Sequence, residues 1–205
     1  MVKRLHSLLF ALLLAAILVG CSDGPKLPPL AENAVILAFG DSLTYGTGTT
    51  RELSYPAILQ QLSGRRVVNA GIPGEQTSGG LARLNYVLDE VEPQLMILCL
   101  GGNDMLRKKD LQLAAENLQK MVEISREKGV PVLLLGVPRP ALFGMESAEF
   151  YHELAETLSL PLEADIIPEV LSDKELKSDQ IHPNAEGYRL VAEAIYKKLQ
   201  KSGAL

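Results

Sequence analysis

The sequence predicts a doubly wound α/β domain built on a mostly parallel sheet of five strands. Two observations carry this. From residue 34 onward short apolar runs alternate with helical patterns, and the runs are nearly continuous in apolar character. Strands covered by helices on both faces read this way, whereas a half-solvated antiparallel strand alternates apolar with polar residues. A chain of 205 residues suffices for one well-cored domain.

The elements follow in order. Val35 to Phe39 is the first strand-like run. Leu53 to Leu62 has helical spacing, with Ser54 as its cap and Pro56 in its first turn. Arg66 to Ala70 is the second strand. Leu81, Leu84, Leu88 and Val91 share one helical face, which stops at Pro93. Leu95 to Leu100 is the third strand. Leu111, Ala115, Leu118 and Val122 mark the next helix, ended by Gly129. Val130 to Leu135 is the fourth strand. A helix is expected from about Glu146 to Leu158, then a short fifth strand near Pro161 to Ala164. The last helix starts after Asn184 and sets Tyr188, Val191, Ile195 and Leu199 on one face.

Ahead of this region lies a different kind of segment. Lys3 and Arg4 precede an apolar run from Leu8 to Val19, too short to span a membrane comfortably and suited to a secretory signal. The run closes on Leu18-Val19-Gly20-Cys21, which resembles the bacterial lipobox. That resemblance implies a signal at 1–20 that is cut before Cys21, a lipid on Cys21, and a lipoprotein anchored in the cell envelope and facing the periplasm. Ser22 after the cysteine implies the outer membrane of a Gram-negative cell. The polar stretch Ser22 to Leu30, with three prolines, reads as a tether that does not pack, so residues 21–32 are assigned as tether and 33–205 as domain. The competing reading is an ordinary cleaved signal with a coincidental cysteine, and a secreted or soluble periplasmic protein.

Charge excludes some partners. The formal charge of −5 becomes −7 once Lys3 and Arg4 leave with the signal. A mildly acidic surface without a basic block argues against nucleic acid and against docking on anionic lipid by charge. Cysteine usage adds little. With Cys21 lipidated, Cys99 stands alone in the apolar run Leu95 to Leu100 and reads as a buried core thiol.

In an open parallel sheet, ligands bind beyond the carboxyl ends of the strands. Three Gly-rich turns should open on that edge: Gly40-Asp41-Ser42, Ala70-Gly71-Ile72-Pro73-Gly74 and Gly101-Gly102-Asn103-Asp104. None carries a phosphate-loop lysine or a Gly-x-Gly-x-x-Gly run, so no nucleotide cofactor is expected. Ser42 is a candidate nucleophile, but a serine hydroxyl needs a base. Of three histidines, His6 leaves with the signal and His152 lies mid-helix. His182 precedes Pro183, which biases it toward extended backbone, and Asp179 three residues earlier can hold one ring nitrogen and leave the other free. The oxyanion of an acyl transfer would need donors. The Ser42 N–H, the Gly71 N–H and the Asn103 side-chain amide are the candidates. Two distant histidines and a lone thiol make no zinc site, so no metal is expected. A Gly-Asp-Ser turn, an Asp-x-x-His and a Gly-Gly-Asn-Asp turn are each weak alone; their conjunction at predicted strand ends is not.

Those blocks resemble the SGNH, or GDSL, hydrolase family. Ser42 matches its nucleophile block, Gly71 in Asn69-Ala70-Gly71 the second, Asn103 the third, and Asp179 with His182 the Asp-x-x-His block. The resemblance spans about residues 33–200. Leu81-Ala82-Arg83-Leu84 and Met105-Leu106-Arg107 bring it nearest the bacterial arylesterase, lysophospholipase and acyl-CoA thioesterase subgroup. It implies a flavodoxin-like three-layer αβα sandwich and an acyl-enzyme mechanism on an ester or thioester. The segment Gly136 to Met145 reads either as a mobile wall for an acyl chain or as a loop whose Leu142 and Phe143 join the core. Three functions stay open: an acyl esterase or lysophospholipase, a carbohydrate O-acetyl esterase, and a non-catalytic envelope lipoprotein.

Overall fold

The computed structural model describes residues 24–140 and 145–205. The expected signal and Cys21, and the question of Leu142 and Phe143, lie outside the described residues.

The strands are β1 (Val35–Gly40), β2 (Arg66–Gly71), β3 (Leu95–Cys99), β4 (Val132–Leu135), β5 (Pro138–Pro140), β6 (Met145–Ser147) and β7 (Leu162–Glu163). The helices are α1 (Ser42–Tyr45), α2 (Tyr55–Ser63), α3 (Thr77–Val91), α4 (Gly102–Leu106), α5 (Leu111–Glu127), α6 (Glu149–Thr157), α7 (Ile166–Ser172) and α8 (Ala185–Ser202). Five strands form one sheet in the order β2-β1-β3-β4-β7, and all its pairings are parallel. Helices α2 and α8 pack together on one face, and α3 with α5 on the other. This is the three-layer sandwich expected. Every residue of β3 and β4 is buried, as continuous apolar runs require. The second strand departs from that pattern: β2 is only half buried, because it lies at the sheet edge.

The order also explains where a site must lie. The chain steps from β1 to β2 on one side, then returns to place β3 on the other side of β1. The turns after β1, β2 and β3 therefore open around one switch point.

Three expectations need correction. The helix expected from Glu146 starts at Glu149 instead. Met145–Ser147 is extended and pairs antiparallel with Pro138–Pro140. Two prolines in β5 have no N–H to donate, which suits a two-stranded ribbon and not a sheet interior. Arg139 pairs with Glu146 across it at 2.8 Å. Ser54 does occupy the N-cap of α2, with Pro56 in the first turn, but its hydroxyl makes no cap bond and donates to the Arg51 carbonyl at 2.6 Å.

The third concerns the tether. Residues 27–34 pack instead of hanging free. Leu27 and Leu30 are buried, and their N–H groups donate to the Ser202 and Ala204 carbonyls, each at 2.9 Å. Arg65, just before β2, donates to the Ala31 and Leu30 carbonyls. The prolines that suggested a free tether permit this strap. Pro25, Pro28 and Pro29 leave few backbone donors to satisfy, and those of Leu27 and Leu30 meet carbonyls at the end of α8, which have no helical partner. The domain thus begins near Leu27, not at 33.

Removing two leucines of this kind from the core costs about 3 kcal/mol. A chain beginning at residue 33 should therefore melt roughly 6–12 °C below one beginning at residue 24. Equal melting temperatures in calorimetry would show that the strap adds no stability.

Candidate active site

Ser42 lies one residue beyond Asp41, which follows the end of β1. Asp41 caps α1, its Oδ1 accepting the Leu43 N–H at 3.0 Å, so the chain turns from strand to helix at the serine. As the first residue of α1, Ser42 has a backbone N–H with no helical acceptor.

His182 reaches the serine from the loop before α8. Its Nε2 lies 3.0 Å from Ser42 Oγ, and its Nδ1 lies 2.8 Å from Asp179 Oδ2. An ionised carboxylate only accepts, so Nδ1 carries the proton and Nε2 is left to accept the serine proton. The loop is held tightly for so exposed a segment. Asp179 Oδ1 accepts the N–H groups of Ile181 and His182 at 2.8 and 2.9 Å. Ser178 N–H donates to the His182 carbonyl, and Asn184 caps α8 by accepting the Gly187 N–H. Burial opposes ionisation of Asp179. The hydrogen bonds from His182 and Ile181, with the attraction of the imidazole, outweigh it and hold the carboxyl below its usual range.

Tyr188, in the first turn of α8, joins the two halves of this pair. Its buried hydroxyl donates to the Thr47 carbonyl at 2.8 Å, tying α8 to the turn after α1. In the sequence it reads only as one apolar position of the final helical stripe; a buried tyrosine needs a partner, and that need was the available signal.

Asn103 lies in α4, beyond the end of β3, and donates Nδ2 to Asp41 Oδ2 at 3.0 Å. One amide hydrogen is committed there and the other is free for a ligand. Asp41 thus holds both the nucleophile turn and Asn103. Burial pushes its carboxyl up to about 6, against the Leu43 and Asn103 hydrogen bonds and the attraction of His182. Asp41 is a positioning residue that sequence reasoning passed over, because an Asp between Gly and Ser looks like turn chemistry.

The second expected donor is corrected. The Gly71 N–H is taken by the Asn69 side-chain carbonyl at 3.0 Å. A Cβ at Gly71 would sit 2.2 Å from the Tyr45 nitrogen, so glycine is there to let β2 approach α1. Gly74 is the donor available in that turn. Its φ is +78°, and its N–H makes no hydrogen bond to the described residues. Two arginines brace this turn. Arg83 pairs with Glu75 at 2.6 Å, donates to the Ala70 carbonyl at 2.9 Å and lies over the Phe39 ring. Arg107, just past α4, donates to the Gly74 carbonyl at 3.1 Å and to Gln76 at 3.2 Å. Arg107 therefore links the turn carrying Gly74 to the helix carrying Asn103.

Beside Ser42 and His182 opens a cavity of about 340 Å³. Leu43, Met105, Leu106, Val137, Met145 and Leu171 give it largely apolar walls. The β5–β6 ribbon adds Pro138, Arg139 and Met145 to its lining. Cys99 is fully buried at the end of the central strand β3, and burial with the nearby Asp41 charge pushes its thiol well above the ordinary value, as a core cysteine. His152 is exposed on α6, away from this constellation.

A serine with base and orienting carboxylate, at the switch point of a parallel αβα sandwich, defines a serine hydrolase of ester bonds. Residues 38–190 match the model of the GDSL-like lipase/acylhydrolase family, and the chain belongs to that family. It is 32% identical to esterase TesA of Pseudomonas aeruginosa over 82% of this chain and 89% of that protein. It is equally similar, at 32%, to thioesterase 1/protease 1/lysophospholipase L1 of Escherichia coli, over 80% and 83%. The crystal structure of TesA superposes with a TM-score of 0.72 at 30% identity, covering 82% of this chain and 99% of that one.

The raised Asp41 carboxyl makes a test. The folded protein holds this proton up to about pH 6, whereas the unfolded chain releases it near 3.8. Between those values the native state binds more protons, so this group's contribution to stability rises as pH falls. Wild type should gain about 2 kcal/mol relative to Asp41→Asn on going from pH 7 to pH 4. Urea unfolding of both proteins at the two pH values measures it, and a pH-independent difference would refute the placement of that proton.

Proposed function

We propose that this protein hydrolyses esters and thioesters of acyl chains through an acyl-enzyme on Ser42. The observation that carries the reading is the continuous hydrogen-bonded chain from Ser42 Oγ through His182 to Asp179, at 3.0 and 2.8 Å. Ser42 Oγ attacks the carbonyl carbon as its proton passes to His182 Nε2. The carbonyl oxygen gains the negative charge and meets the Ser42 N–H, the Asn103 amide and, in place of Gly71, the Gly74 N–H. Collapse expels the alcohol or thiol, which takes the proton from His182. Water then adds to the acyl-enzyme with His182 again as base, and the acid is released. Asp179 keeps the ring in the productive tautomer throughout and steadies the imidazolium.

The apolar walls of the cavity favour an acyl chain over acetyl. The purified protein should therefore hydrolyse octanoyl nitrophenyl ester at a higher kcat/KM than the acetyl ester. Strong preference for acetyl would instead support a carbohydrate O-acetyl esterase.

Serine-directed fluorophosphonate should label the wild type and leave Ser42→Ala unlabelled. Loss of one oxyanion donor in Asn103→Ala should lower kcat about 100-fold. Equal labelling of Ser42→Ala would end the acyl-enzyme reading.

For location, the Leu18-Val19-Gly20-Cys21 pattern supports a lipid on Cys21 and a place in the bacterial envelope. The domain would then face the periplasm.

A further inference from the structure

The largely apolar cavity beside Ser42 also carries positive charge in two places. Lys108, from the turn after α4, and Arg139, from the β5–β6 ribbon, both line it and both are exposed. The chain as a whole is acidic, with a formal charge of −5. Among the described residues, Asp41 is the only carboxylate in that lining. It is buried, and its two oxygens are engaged by Leu43 and Asn103. Glu146 balances Arg139 through the ion pair across the ribbon. Lys108 has no such balance: among the described residues no group accepts a hydrogen bond from its ammonium or forms an ion pair with it.

The backbone fixes where Lys108 stands. Helix α4 ends at Leu106, and the Lys108 and Lys109 N–H groups donate to the Met105 and Asp104 carbonyls at 3.0 and 2.9 Å. Closing the helix this way sets Lys108 at φ +51°, a left-handed conformation that glycine adopts more readily. The carboxylates next to it in sequence are occupied elsewhere. Asp104 is buried and accepts from Thr77, and Asp110 caps α5. Two residues before Lys108 the same short helix carries Leu106, which lines the cavity, and Asn103 lies in its first turn. A lysine at such a lip lays its methylenes along the apolar wall and keeps its ammonium in water. A charge beside an apolar cavity is also screened less than one on open surface.

We infer that Lys108 is a specificity-determining residue, whose ammonium takes an anionic group (a carboxylate, phosphate or sulfate) that the ester or thioester carries apart from its reacting carbonyl. Arg139, tied to Glu146, is the lesser contributor. The anion belongs to the leaving group or to the far end of the acyl chain, and either offers the ammonium the same chemistry. This rests on the acyl-enzyme reading above and deepens it.

The test compares matched esters. The octanoyl ester of a hydroxynitrobenzoate and that of the corresponding nitrophenol differ by a carboxylate on the leaving group. The nitrophenyl monoester of suberic acid and nitrophenyl octanoate differ by a carboxylate at the end of the acyl chain. Selectivity is the kcat/KM for the charged ester divided by that for its neutral match. In at least one pair Lys108→Gln should lower this ratio roughly fivefold, the top of the range for an exposed ion pair, and chiefly through KM. Lys108→Glu should lower it further, and Lys108→Arg should hold it within about twofold. The wild-type ratio should also fall as salt is raised from about 50 to about 500 mM. The pair that responds locates the anion. Lys108→Gly suits the left-handed turn, so a loss equal to that of Lys108→Gln assigns the effect to the missing charge. If the ratio moves in neither pair, or falls as far in Lys108→Arg as in Lys108→Gln, the assignment is overturned. If wild type cleaves none of the four esters and takes no fluorophosphonate, the acyl-enzyme reading itself fails, which is a different result from unaltered selectivity in an active enzyme.

Discussion

A hydroxyl proton moves only across a short hydrogen bond, and here that bond joins groups 140 residues apart, Ser42 Oγ and His182 Nε2. Almost every feature of the fold bears on that distance. The parallel register of β2, β1 and β3 brings their turns to one edge. Helix α8 starts at the same edge and carries the histidine loop in front of it. Tyr188 then fastens α8 to the turn behind α1, so the serine and its base are fixed to each other through backbone carbonyls. Because His182 sits on a loop, its aim depends on hydrogen bonds. Asp179 supplies three of them: one to the ring and two to the local backbone N–H groups.

The polar side of the site is built as a linked system. Asp41 receives both Leu43 and Asn103, so nucleophile turn and oxyanion amide share one buried acceptor. Buried Asp104 receives the Thr77 N–H and hydroxyl, tying the start of α3 to α4. Arg107 and Arg83 then hold the turn between them. Among the described residues no buried side-chain polar atom that is not exposed lacks a partner. A site so connected costs little reorganisation when charge develops on the substrate oxygen. Its low-dielectric setting also explains why Asp41 resists ionisation while more exposed Asp179 gives up its proton readily.

The opposite end of the molecule has its own logic. A proline-rich strap with two leucines closes the base of the sheet and sets where the N-terminal segment leaves the domain. The contacts that bury Leu27 and Leu30 also shorten whatever tether precedes them.

Much of this was legible in the sequence, for a physical reason. Fully buried parallel strands must be continuously apolar and helices must show a stripe, so the alternation of β1 to β4 with α2, α3, α5 and α8 stands in the residue pattern itself. Ser42, Asn103, Asp179 and His182 could be chosen because their chemistry is particular to residue type and they fall at strand ends or before the last helix. What only the tertiary structure decided were matters of competing partners. Whether Gly71 or Gly74 has a free N–H depends on the Asn69 side chain. Whether Met145–Ser147 is helix or strand depends on Pro138–Pro140 across the ribbon. Whether a polar, proline-rich stretch swings free depends on carbonyls nearly 175 residues away at the end of α8. Local pattern records what a residue prefers; it does not record which distant group is left unsatisfied and waiting for it.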